Sequence, residues 1–203
     1  MSNSPRRTAA SATTTARAPG EIRIIGGRWK RSKLPVPDAP GLRPTSDRVR
    51  ETLFNWLGQT LTDWRVLDAF AGSGALGFEA ASRGAAEVVM IERDARLAEG
   101  LRAVQRKLGA EAVRLQAADA LAWMARGPRG HFDLVLLDPP FAAGLFDAAL
   151  AAAVPLLTPD GLIYAESPHE LTPPAGFTAW RQGRAGAVHY QLLRRSDNPG
   201  SAD

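Results

Sequence analysis

Two short segments of the chain hold residue types whose spacing could do chemistry. The first is Asp138-Pro139-Pro140-Phe141, which follows the apolar run Phe-Asp-Leu-Val-Leu-Leu at 132–137. Ligands of open α/β sheets bind beyond the carboxyl ends of the strands, so a tetrapeptide placed there faces a ligand. Asp138 offers a carboxylate acceptor and Pro139 a carbonyl acceptor. The two prolines have no N–H and a fixed φ, so the turn presents acceptors without competing donors. Phe141 adds a flat face, and stacking a base on an aromatic ring is worth ~1–3 kcal/mol in single-strand binders. These parts suit methylation of an exocyclic amine on a base. The lone pair of such an amine is delocalised into the ring, and acceptors on its two N–H bonds favour the pyramidal nitrogen that attack requires. No serine or histidine is needed, because the leaving group is a neutral thioether and catalysis is mostly positioning. The plainer alternative is that Asp-Pro-Pro simply ends a strand.

The second segment is DAFAGSGALG at 68–77. Gly72, Gly74 and Gly77 satisfy G-x-G-x-x-G after one apolar run and before a helical pattern, and Glu92 follows Gly72 by 20 residues. Glycines permit a tight turn and close approach of a ligand, and a carboxylate at the next strand end can accept both hydroxyls of a ribose. A nucleoside-containing cofactor at the switch point of a doubly wound sheet is the common reading. The pattern is equally a dinucleotide fingerprint, so an NAD-linked dehydrogenase is a rival. Asp68, just before the glycines, argues against it: a carboxylate there repels a pyrophosphate and suits an α-ammonium or sulfonium group. The position of the glycine strand, behind a basic hairpin and a helix, points the same way. Asp119 follows a third strand-like run, where it can accept from an adenine amine or cap the next helix, and both can hold.

The elements that must position these groups alternate. Strand-like runs at 65–69, 87–91, 112–116, 132–137 and 162–165 are separated by helical patterns near 75–83, 94–108, 119–126 and 145–157. That alternation predicts a parallel sheet with helices on both faces. Two further runs, 177–182 and 187–194, read as a terminal hairpin, and residues 196–203 as a frayed polar end. Ahead of the sheet, runs at 22–25 and 28–34 flank Gly26-Gly27, a hairpin signal. The second run carries Arg28, Lys30, Arg31 and Lys33 around Trp29, and the Pro-rich stretch from Pro35 to Pro44 reads as a linker. A helix capped by Thr45 or Ser46 follows, with Val49, Leu53, Trp56 and Leu57 on one face. Residues 1–20 are rich in Ala, Ser and Thr, contain no acid and are expected to be a disordered basic tail; an organelle transit peptide has similar composition. The resulting division is tail 1–20, hairpin and linker 21–44, sheet domain 45–195 and terminus 196–203.

Charge is unevenly spread. Residues 1–50 carry 11 Lys and Arg against 3 Asp and Glu, a net +8, and the rest carry 14 against 18, a net −4. A basic front on an acidic body suggests a polyanion held by the front, with Trp29 packing the hairpin down rather than stacking on a base. With no cysteine, disulfides, zinc–thiolate sites and cysteine nucleophiles are excluded, and the three histidines are too scattered in sequence to suggest a metal. No apolar run approaches membrane-spanning length.

Taken with these motifs, the sequence resembles the bacterial 16S ribosomal RNA guanine-N2 methyltransferase family, RsmD, over about 22–193. The resemblance is carried by RIIGGRWKRSKLPVP, PGLRPTSDRVRETLFNWL, LDAFAGSGALGFEAASRGA, IERD and LDPPF. The segment LRPTSDRVRETLFNWL is the most restrictive of these; the N-terminal 1–20 has no counterpart in the family pattern. The resemblance implies a class I (Rossmann-like) α/β methyltransferase fold, with a mostly parallel seven-stranded sheet and an N-terminal β-hairpin extension. It implies S-adenosylmethionine as donor, S-adenosylhomocysteine as product, no metal, and a guanine of small-subunit rRNA in an assembled or assembling 30S particle as acceptor. It implies that Asp68, Gly72 and Gly74 line the methionine part, Glu92 the ribose and Asp119 the adenine, with Asp138, Pro139 and Phe141 on the target base. Arg43, Thr45, Arg48 and Arg50 match the family's segment before the sheet, expected over cofactor and RNA. A cytoplasmic monomer with no membrane partner is the corresponding expectation. An adenine-N6 methyltransferase of DNA or RNA and a non-enzymatic ribosome-assembly factor are the competing readings; an intact Asp138-Pro139-Pro140-Phe141 weighs against the latter.

Overall fold

Alternation along the central strands decides which side chains face which layer. The computed structural model describes residues 20–36 and 45–196. The expected tail, Arg43 in the Pro-rich stretch, and the polar end after Ser196 lie outside the described residues. Five parallel strands form most of the sheet: β3 (Arg65–Asp68), β4 (Glu87–Glu92), β5 (Val113–Ala117), β6 (Phe132–Leu137) and β7 (Leu157–Ser167). The hairpin of β8 (Phe177–Ala185) and β9 (Val188–Arg195) completes seven strands in the order β5-β4-β3-β6-β7-β9-β8. Val66, Val88, Met90, Leu134, Leu136 and Tyr164 project into one core, while Leu67, Val89, Ile91, Val135, Leu137 and Ala165 project into the other. Strands buried on both faces read as near-continuous apolar runs, and these do.

On the first face lie α1 (Asp47–Trp56), α2 (Ala75–Ser82) and α3 (Ala95–Leu108); on the second lie α4 (Ala120–Met124) and α5 (Phe146–Ala153). Ser46 caps α1 by accepting from the Val49 N–H, and Asp94 caps α3 by accepting from Arg96 and Leu97. Helix α2 is buried on every side. It is built from small residues because the sheet covers one flank while α1 and the N-terminal hairpin cover the others.

Two elements differ from the sequence reading. The strand expected at 162–165 begins at Leu157, because Pro159-Asp160-Gly161 is absorbed in a register shift against β6 instead of forming a separate turn. The N-terminal strands are β1 (Gly20–Arg23) and β2 (Lys33–Val36), paired antiparallel with Arg23 opposite Lys33. Gly26-Gly27 is therefore no two-residue turn. It sits in a loop, 24–32, that lies on the end of α2: Arg28 N–H donates to the Ser82 carbonyl at 2.7 Å, Trp29 N–H to Ser82 Oγ at 2.9 Å. Gly27 has φ +72°, and a Cβ on it would stand 1.8 Å from the Ser82 carbonyl oxygen. Glycine is required there by close approach to a helix, a need that sequence spacing resembles but does not distinguish from a tight turn.

Candidate active site

The chain runs β3, β4, β5 outward on one side and returns to lay β6 and β7 on the other, so the switch point lies between β3 and β6. Both motifs end there. Asp68 is the last residue of β3, and Asp138 follows the last residue of β6. A cavity of about 540 Å³ opens over these strand ends, and its wall includes Asp68, Gly72, Glu92, Asp119, Asp138 and Phe141. Residues 70 apart in sequence are thus brought together by strand pairing alone.

The carboxylates of Asp68, Glu92 and Asp119 are held by backbone N–H groups. Asp68 Oδ2 accepts from the Gly77 N–H at 2.9 Å, so the strand-end carboxylate caps α2, whose own N-cap is Gly74 with φ 77°. A Cβ on Gly77 would meet that same oxygen at 2.9 Å, which explains the third glycine of the motif. Glu92 accepts from the Gly72 N–H at 2.9 Å and the Asp94 N–H at 2.8 Å, tying the glycine loop to the end of β4. Asp119 caps α4 through the Ala122 N–H at 2.9 Å while bordering the cavity. Thr45, expected on the cofactor, lines the cavity and donates to Asp138 Oδ2 at 3.4 Å. Pro139 lies between Asp138 and the 3-10 turn Phe141–Ala143, and the Phe141 ring leans on Phe146 with centroids 5.9 Å apart.

The structure adds a carboxylate that motif reading missed. Glu166, near the end of β7, is buried, lines the cavity and accepts from the Tyr164 hydroxyl at 3.0 Å. Nothing in IYAES marked it beyond its place at a strand end. Burial, with the Glu92 and Glu166 charges adding to it, pushes the Asp68 carboxyl up to about 7 against the Gly77 and Phe70 N–H groups. Burial and then the charges of Glu166 and Asp68 push Asp138 well above the usual carboxylate range. A cavity of mutually repelling carboxylates fits a cationic ligand. Among the described residues no three His, Cys, Asp or Glu are grouped so as to hold a metal ion.

An acid whose folded pKa lies above its unfolded value stabilises the fold fully only below the unfolded value, and the contribution is lost as pH rises through the folded value. For Asp68 that window runs from about 4 to about 7. The ligand-free protein is expected to melt at progressively lower temperature as pH rises from 5.5 to 7.5, and Asp68→Asn to flatten the dependence. Thermal melts of both proteins across that range check it; parallel curves would remove Asp68 as the cause.

Comparison with known proteins decides the family. Residues 22–194 match the family model described as Conserved hypothetical protein 95. Ribosomal RNA small subunit methyltransferase D of Escherichia coli K12 is 45% identical over 181 residues, which cover 87% of this chain and 91% of that protein. The chain belongs to the RsmD methyltransferase family. The protein of the same name from Haemophilus influenzae Rd is 42% identical, with 89% of this chain and 97% of that one covered. The solved structure of yhhF from Escherichia coli superposes with a TM-score of 0.78 at 45% identity, covering 87% of this chain and 98% of that one.

The basic residues of this RsmD-family chain divide into two groups. Arg28, Lys30, Arg31 and Lys33 are exposed, with Lys33 paired to Glu21 at 2.7 Å, and Arg48 is exposed on the first turn of α1. Trp29 packs half-buried against the core. Arg50 corrects the sequence reading. It is fully buried, donating to Asp47 at 2.5 Å, the Arg23 carbonyl at 2.9 Å and Glu79 at 3.4 Å, so it joins elements and does not face a polyanion. The basic loop rests at the C-terminal end of α2, whereas the cavity lies at its N-terminal end. Among the described residues, no helix is long and apolar enough to cross a membrane.

Proposed function

We propose that this RsmD-family methyltransferase moves a methyl group from S-adenosylmethionine to the exocyclic N2 of a guanine in small-subunit (16S) ribosomal RNA, within an assembled or assembling 30S particle. The observation that carries the reading is the meeting of Asp138-Pro139-Pro140-Phe141 with Asp68 and Glu92 in one cavity. The names of the relatives from Escherichia coli and Haemophilus influenzae supply the ribosomal RNA. The donor's sulfonium and ammonium charges answer the repulsion among the cavity's carboxylates, and when bound it supplies an electrophilic methyl group. Asp68 with the Gly72–Gly74 loop faces its methionine part, Glu92 the ribose, and Asp119 the adenine; each oxygen of Glu92 keeps a second lone pair for a ribose hydroxyl.

Asp138 and the Pro139 carbonyl accept from the two N–H bonds of the target amine, and Phe141 stacks on the base. With the donor bound, the amine nitrogen would take its methyl group and the C–S bonding pair would stay on sulfur, leaving S-adenosylhomocysteine, a neutral thioether. The nitrogen then sheds one proton, and Asp138, whose surroundings raise its basicity, stands where that proton departs. The reading includes a cytoplasmic monomer, with 21–44 as an RNA-facing extension of the sheet domain. Mass-spectrometric mapping of methylguanine in rRNA from a knockout and its complemented strain tests it. Methyladenine in place of methylguanine, or no difference between the strains, would refute it.

Arg28, Lys30 and Arg31, with Lys33 and Arg48, are read as phosphate contacts that position RNA without reading its sequence. Because the basic loop and the cavity lie at opposite ends of α2, Arg28, Lys30 and Arg31 engage RNA away from the target nucleotide, whereas Arg48 stands beside Ser46 and Val49 of the cavity wall. Changing Arg28 and Lys30 together to Gln is expected to weaken binding to 30S particles. The slope of log affinity against log salt should flatten by roughly 0.7–0.9 for each phosphate no longer neutralised, with cofactor affinity unchanged. A salt titration that returns the wild-type slope would make the loop a solvated surface.

A further inference from the structure

Glu166 is the large buried acid of the cavity to which the proposed chemistry assigns no task. Its location follows from strand register. Leu136 pairs with Tyr164 and Leu137 with Ala165 in the parallel ladder of β6 and β7. One residue further on, Asp138 and Glu166 stand side by side at the ends of neighbouring strands, whose spacing is about 4.8 Å. Side chains alternate along a strand, so both leave the sheet on the face of Leu136 and Tyr164, the face of α1 and α2. Glu166 is 4% exposed, and both acids line the cavity. The Tyr164 hydroxyl, itself fully buried beneath, donates to Glu166 Oε1 at 3.0 Å and fixes the carboxylate from below.

A carboxylate held beside the acceptor of an exocyclic amine faces the next atom of the base's pairing edge. In guanine that atom is N1, which carries a hydrogen and donates. In adenine the ring nitrogen beside the amine carries a lone pair, which a carboxylate repels. Asp138 and the Pro139 carbonyl accept from any exocyclic amine, so they cannot tell the two bases apart. We propose that Glu166 is the specificity-determining residue of this site, accepting the N1–H of guanine beside Asp138 and turning adenine away. The inference rests on the guanine reading above and deepens it.

The test compares wild type with Glu166→Gln. Methylation is measured on 30S particles from a knockout strain, and on particles whose mapped target guanine is replaced by adenine. Gln keeps the shape, removes the charge and can turn an N–H toward the adenine ring nitrogen. On guanine the variant is expected to lose roughly 10²-fold or more in kcat/KM, since sites built to pair a buried N–H depend on both partners. Its preference for guanine over adenine should narrow further than its rate falls. Affinity for S-adenosylmethionine and the melting temperature should hold at wild-type values or above. If the Gln protein fails to fold, Glu166→Asp withdraws the acceptor by one methylene while keeping charge, and the same loss on guanine is expected. Wild-type kcat/KM in the folded variant overturns the proposal alone. A selective loss of cofactor affinity does so too, by moving Glu166 onto the cofactor. Wild-type enzyme that makes no methylguanine on any particle overturns the guanine reading, and this inference with it.

Discussion

Asp138→Ala is expected to leave a folded protein that binds cofactor but turns over roughly 10²–10³ times more slowly, the usual cost of removing one preorganised electrostatic interaction. Ground state and transition state make different demands on this residue. In the resting protein Asp138 is half-buried beside the buried Glu166 and Asp68, with Thr45 as its hydrogen-bond donor, and its carboxyl is held well above the usual range. Removing it relieves repulsion in the cavity, so the melting temperature should stay level or rise. The carboxylate is valuable only when a target amine becomes pyramidal and its N–H bonds grow acidic, which happens on the way to the transition state. The loss should therefore fall on the single-turnover rate, with little change in the affinity for cofactor. Asp138→Asn should fall almost as far, because one acceptor oxygen is exchanged for a donor. Single-turnover kinetics at saturating cofactor is the measurement, and a variant that keeps most of the wild-type rate removes Asp138 from the chemistry.

The motif residues that line the cavity were legible because their signals are local in sequence. A strand end followed by Asp-Pro-Pro-Phe, a glycine turn and an acid at the next strand end each announce themselves within ten residues. The alternation of apolar runs then places them in register, and the observed β6 begins and ends at the expected residues, 132–137. What the sequence hid are groups whose meaning depends on partners far away. Glu166 is one acid among many until the pairing of β6 with β7 sets it beside Asp138. Arg48 and Arg50 carry the same charge on the same helix, yet one points to solvent and the other into the protein. Gly26-Gly27 carries the signature of a tight turn, and the closeness of Arg83 to Gly26 and of Ser82 to Gly27 explains it. The acid that organises this region, Glu79, sits unmarked in the Ala-rich helix α2.

Glu79→Ala is expected to be among the most damaging single changes in the described fold, costing about 3–5 kcal/mol, the range for removing one member of a buried ion pair. Glu79 has no exposed surface and accepts from four groups. Its oxygens take the Ile25 and Gly26 N–H groups at 2.8 Å each, Arg83 Nε at 2.8 Å and Arg50 Nη1 at 3.4 Å. These partners come from the β1–β2 loop, from α1 and from the end of α2, so one carboxylate fastens the N-terminal hairpin and the first helix to α2. Without it two guanidinium groups stay buried with less compensating charge, and two backbone amides lose their acceptor; Arg50 Nε is already buried without a partner among the described residues. Arg83 retains Gln59 and the Phe54 ring, and Arg50 retains Asp47 and the Arg23 carbonyl, which limits the loss without replacing the anion. Against a typical total of about 5–15 kcal/mol, such a cost removes a large share of the stability. The damage should begin at the hairpin, so proteolysis in the 24–32 loop should quicken, and Trp29 fluorescence should report solvent at lower urea than the global transition. It should also reach the cavity, because α1 begins just after Thr45, whose hydroxyl meets Asp138. Urea unfolding, followed by Trp29 fluorescence with the other tryptophans replaced by Phe and by far-ultraviolet circular dichroism, measures both stages. A midpoint equal to that of the parent protein by both probes would mean that packing of α1 and the hairpin holds this region without its buried anion.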